Sequence, residues 1–83
     1  MRKYFINAYD TKWHTTENFT AATEDMAIAI VDSKWADGLR YISVICLTDE
    51  REPMTNWECK GNTCIDGKWY VVYAKFIEES YNA

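Results

Sequence analysis

The run from Asn18 to Leu47 narrows the possible folds more than any other stretch. It holds one helix with both ends marked and the strand into which it leads. Thr23 stands as an N-cap, its hydroxyl placed to accept from a backbone N–H of the first turn. Glu24 and Asp25 follow, where the positive end of the helix dipole favours carboxylates. At about 100° per residue, Met26, Ala27, Ile30, Val31 and Trp35 form one apolar stripe. Ile28 lies at its margin, Asp25, Asp32 and Ser33 lie opposite, and Lys34 snorkels from its edge. Gly38 supplies the left-handed residue that ends the helix. A helix with one apolar stripe must lay it on a surface, and the rest of the chain has to provide that surface.

Strands provide it. Residues 3–10 alternate, with Tyr4, Ile6 and Ala8 on one face and Phe5, Asn7 and Tyr9 on the other. Asp10-Thr11-Lys12 offers a turn. Residues 13–21 alternate again, with Trp13, Thr15, Glu17, Phe19 and Ala21 on one side. Residues 39–48 carry apolar groups on both faces, the pattern of a central strand covered at least partly on both sides. Asp49-Glu50-Arg51-Glu52-Pro53 breaks that strand as an exposed loop. Residues 56–60 and 63–65 read as a short hairpin turning at Gly61-Asn62, and Asp66-Gly67 is a second turn signal. Residues 68–77 form the last strand, with Trp69, Val71, Tyr73 and Lys75 facing one way and Tyr70, Val72, Ala74 and Phe76 the other. The tail from Glu78 to Ala83 is expected to fray. The pattern predicts a single α+β domain over residues 1–83 in the order ββαβββ. Its sheet is mainly antiparallel, with four to five strands and one helix on one face.

Composition decides whether so short a chain can afford a core. Of 83 residues, 48% are hydrophobic and 16% aromatic, and each large ring can bury roughly 150–250 Å². Thirteen acids against nine bases give a net charge of −4. The bases are scattered, which disfavours direct binding to a phosphate backbone. No apolar segment follows Met1 and no run reaches the ~18–20 apolar residues of a membrane span, so a cytoplasmic protein is expected.

Reactive constellations are sparse. Cys46, Cys59 and Cys64 with His14 have the composition of a Cys3His zinc site, but their spacing is loose beside the tight pairs zinc favours. A Cys59–Cys64 disulfide or free thiols are the other readings, and a reducing compartment favours thiols. His14 has no serine or cysteine at a telling distance, and the three glycines stand apart rather than in a phosphate loop. No catalytic residue, metal ligand or cofactor is therefore assigned, and an enzyme is not expected.

The aromatic residues carry the functional expectation. Trp35 belongs to the core. Tyr9, Trp13, Trp57, Trp69 and Tyr73 lie on strands of a sheet that one helix cannot cover completely. Such rings either pair across strands or form an exposed patch that binds another protein. Asp49, Glu50 and Glu52 add electrostatic complementarity to a basic surface.

A short chain that opens with strands, passes through the junction TAATEDMAIAI and ends in a strand-rich aromatic half resembles small phage-encoded proteins. It is similar in particular to the compact anti-CRISPR proteins, which bind and block CRISPR surveillance complexes. The resemblance rests on size, element order and composition over most of the chain. It implies a non-enzymatic inhibitor that acts by occlusion on a host protein complex in the host cytoplasm. The alternatives are a homodimeric structural or scaffold protein, which buries its open sheet face against itself, and a small zinc-stabilised module.

Overall fold

The structure, a computed structural model, describes residues 1–78; the expected fraying of the tail beyond Glu78 lies outside them. The elements are β1 (Arg2–Asp10), β2 (Thr15–Ala21), α1 (Glu24–Ala36), β3 (Arg40–Thr48), β4 (Glu58–Ile65) and β5 (Lys68–Ile77). They form one five-stranded sheet in the order β2-β1-β3-β5-β4, antiparallel at every pairing. This is the expected α+β architecture, with β3 at the centre.

The helix ends are set by local chemistry. Thr23 Oγ1 accepts from the Met26 N–H at 3.2 Å, which satisfies one of the orphan donors of the first turn. At the other end Gly38 takes φ +93°. The Leu39 N–H donates to the Lys34 carbonyl and the Gly38 N–H to the Trp35 carbonyl, the paired bonds of a Schellman ending. Leu39 is then buried. Arg40 completes the stop: one guanidinium nitrogen donates to the Trp35 and Leu39 carbonyls, and the group stacks 4.0 Å from the Trp35 ring centroid.

One face of the sheet meets the helix. Tyr4 and Ile6 of β1 stand in register with Cys46 and Val44 of β3, and Cys46 with Tyr73 of β5. These side chains, with Ile42, Ala27 and Val31, form the core. α1 packs on β1, β2 and β3 and reaches neither β4 nor β5. Met26 departs from the expected stripe: in the first turn, at the border of the sheet, it is 52% exposed.

The loop at 49–57 covers part of what the helix leaves bare. Residues 49–53 are exposed, as expected, but beyond them Met54 is buried and Trp57 packs on the core. Buried Thr48 ties its root: Thr48 Oγ1 accepts from the Glu50 N–H at 3.0 Å. A second correction concerns β4. The stretch read as a small hairpin is one strand, and Gly61, at φ +108°, serves a bulge that leaves Lys60 extra between the Cys59 and Gly61 pairings. The β1–β2 turn also runs longer than expected, so β2 starts at Thr15 and Trp13 lies in the turn.

Candidate protein-interaction site

Three surfaces stand out: two aromatic ends of the molecule and the sheet face opposite the helix. At the first end, Asp10 Oδ1 accepts from the Lys12 and Trp13 N–H groups at 2.9 and 3.1 Å. This local turn holds the Trp13 ring in solvent, 70% exposed. Tyr9 shares a hydrogen bond with His14 Nδ1 at 3.2 Å and sets its ring edge-on to Tyr41. Tyr41, at φ 54° beside a β-bulge, projects from the end of β3 and is 67% exposed.

The opposite end holds the acidic loop. Asp49 binds the Met1 amino group and lies 2.8 Å from Lys68 Nζ. Hydrogen bonding from Lys68, and then from the Met1 amine, holds the Asp49 carboxyl down at about 2. Glu50 Oε2 lies 2.9 Å from Arg2 Nε. Two of the three loop carboxylates are thus partnered within the chain, and their pull on a distant basic surface is reduced accordingly. Glu52 is exposed. Trp69 stands nearby, 67% exposed, on the β5 side of the Asp66–Gly67 turn and in register with Cys64.

The expected site residues therefore do not share one patch. Tyr9 and Trp13 lie at one end of the molecule, whose long dimension is 39 Å. Asp49, Glu50, Glu52 and Trp69 lie at the other. Tyr73 is buried, 8% exposed, between Cys46 and Cys59 in register, so it belongs to the core rather than to a docking surface. Trp57 faces inward against Tyr4, with Lys75 Nζ 5.8 Å from its ring. The reason is one of side. The Trp69-Val71-Tyr73-Lys75 face of β5 turns toward the helix layer, and the other face is the open one.

The sequence predicts an open face, but the residues that line it are not the aromatics expected there. Register places Phe5 beside Ile45, Ile45 beside Ala74, Leu47 beside Val72, and Ser43 beside Phe76. Phe5 and Phe76 are exposed, and Ile45, Leu47, Val72 and Ala74 are half-buried by their neighbours alone. Alternation on β3 and β5, apolar on both faces, was the available signal.

Reactive groups do not gather. Cys46 is buried, while Cys59 and Cys64 are exposed free thiols. Burial raises the Cys46 thiol above its ordinary range, and the neighbouring Tyr4 phenol likewise. Cys59 and Cys46 flank Tyr73 from opposite sides, about two strand spacings (~10 Å) apart. Cys59 and Cys64 lie five residues apart along β4 with no disulfide between them. His14 sits in the β1–β2 turn, away from all three thiols. Among the described residues no group of three His, Cys, Asp or Glu side chains converges as a metal site requires. No described helix is long and apolar enough to cross a membrane.

Compared with known proteins, the chain matches no family model, no curated protein and no solved structure.

Proposed function

We propose that this protein is a non-enzymatic phage inhibitor that binds and blocks a host defence complex through protein–protein contacts, in the manner of anti-CRISPR proteins. The observation that carries the reading is Trp69, 67% exposed beside the hairpin turn. Its indole contributes little to the core, which closes over Tyr73 and Val71 without it. An indole held in water beside a hairpin turn is the kind of anchor that dominates protein interfaces. The net charge of −4 favours approach to basic, nucleic-acid-handling surfaces, where complementary charge speeds and orients encounter.

The test is direct. Purified CRISPR surveillance complexes of several types are assayed for target-DNA binding with and without the protein. Inhibition is expected for one type, and Trp69→Ala should raise the half-inhibiting concentration about tenfold, as loss of ~1–2 kcal/mol at an anchor does. Failure to bind or inhibit any of them removes the reading. The second reading, a homodimeric structural protein, is favoured by the open sheet face.

A further inference from the structure

We infer that the open face of the sheet is the seat of a second copy of this chain, packed face to face to give a symmetric two-sheet dimer. The inference is independent of the inhibitory reading, because self-association requires no host protein.

Size is the first support. Five strands ~4.8 Å apart, each of about eight residues at ~3.3 Å, make a face of roughly 600 Å² in plan. Side-chain relief brings its accessible area toward the ~800 Å² that each partner gives to a standard interface. The centre of the face is apolar, formed by Phe5, Ile45, Leu47, Val72, Ala74 and Phe76, and two stacked sheets bury such side chains at ~10 Å separation.

Charge identifies the occupant. In a two-fold interface each patch meets itself, so a charge near the axis meets its like. The chain has thirteen acids, yet charges touch this face only at its borders. Glu58, in register with Ala74, is paired with Lys60 at 2.9 Å on the edge strand β4. Lys3 and Lys68 lie at the end where β3 finishes, with Lys68 held by Asp49. A basic partner would find no array of acids here, whereas a second copy finds an uncharged match. Edge-to-edge growth is disfavoured at the β4 edge by its bulge and Lys60.

Sedimentation equilibrium tests this on the full chain. The wild type is expected at twice the 9.7 kDa chain mass. Phe76→Glu and Ile45→Lys should each weaken the dimer by about 100-fold or more, as charges buried in an interface core do. Circular dichroism should show both variants folded. Met26→Glu, on the exposed start of the helix, should leave the dimer intact. If Ile45→Lys fails to fold, Phe76→Glu decides alone, since Phe76 is 59% exposed. A wild-type monomer at ~100 μM, weaker than the μM-to-pM range of such interfaces, overturns the inference. So does a dimer indifferent to both face variants, or a foreign protein that needs this face while the chain stays monomeric.

Discussion

Trp57 rests its ring against Tyr4, with centroids 6.0 Å apart and planes at 57°. In the sheet, β3 and β5 lie between Tyr4's strand and β4, the strand that follows Trp57. The contact exists because the loop from Asp49 to Trp57 crosses over the helix-side face and closes the core where α1 stops. Tilted rings at this distance add about 0.5–1.5 kcal/mol beyond the area they bury. Trp57→Ala should therefore destabilise the fold by about 2–4 kcal/mol in urea unfolding, toward the lower part of the range for a large aromatic because the ring is half-buried. A loss below ~0.5 kcal/mol, the size of a surface change, would show that the loop is ornamental.

Asp49 predicts a pH dependence. Its carboxyl sits at about 2 in the folded protein, against ~3.9 in an unfolded chain. A depressed carboxylate contributes stability that is complete above the unfolded value and is lost as pH falls through the folded one. The difference in thermal midpoint between wild type and Asp49→Asn should stay level from pH 7 to about 5, shrink below about 4 and close near 2. Because the pair with Lys68 is exposed, salt should reduce the same difference at neutral pH. A gap indifferent to both salt and acid would rule out the ion pair as its source.

Trp69 and Tyr73 share one face of β5 yet should behave oppositely. Tyr73→Ala empties a core position and should cost about 3–5 kcal/mol of stability. Trp69→Ala should alter stability by less than ~0.5 kcal/mol while weakening partner binding by about 1–2 kcal/mol or more. The paired measurements, denaturation and binding of the two variants, separate core from contact.

Gly61→Ala tests the bulge. No atom lies within 4 Å of the added methyl, so crowding contributes nothing, and φ +108° is the whole difficulty. The cost should be about 1–2 kcal/mol, read from the shift in urea midpoint at unchanged slope. A neutral substitution would mean that the backbone relaxes there without penalty.

The helix was legible because its ends are spelled out by single residues, Thr23 and Gly38, whose roles are local. The central place of β3 followed from apolar groups on both of its faces. The covered side of β5 was another matter. Alternation separates Trp69-Val71-Tyr73-Lys75 from Tyr70-Val72-Ala74-Phe76, but both sets are rich in apolar groups and neither announces which will meet the helix. Only the pairing of Cys46 with Tyr73 decides it, and that pairing is long-range. Charge and Pro53 masked the packing role of the 49–57 loop, although Met54 and Trp57, two large apolar groups in a polar run, were a visible hint. Gly61 reads equally as a turn or a bulge residue, because a glycine free to take positive φ serves both. In the candidate site, the sequence leaves open whether Trp13 and Trp69 are exposed or paired across strands, and their separation to opposite ends depends on strand directions that no local pattern encodes.

The strand order carries a kinetic consequence. β1–β2 and β4–β5 are each neighbours in sequence, so either ribbon can close on local contacts. In the sheet neither ribbon pairs with the other, and β3 alone joins them. The two halves must therefore wait for the middle strand, delivered by the helix before it, and the rate of assembly is governed by that docking rather than by either turn.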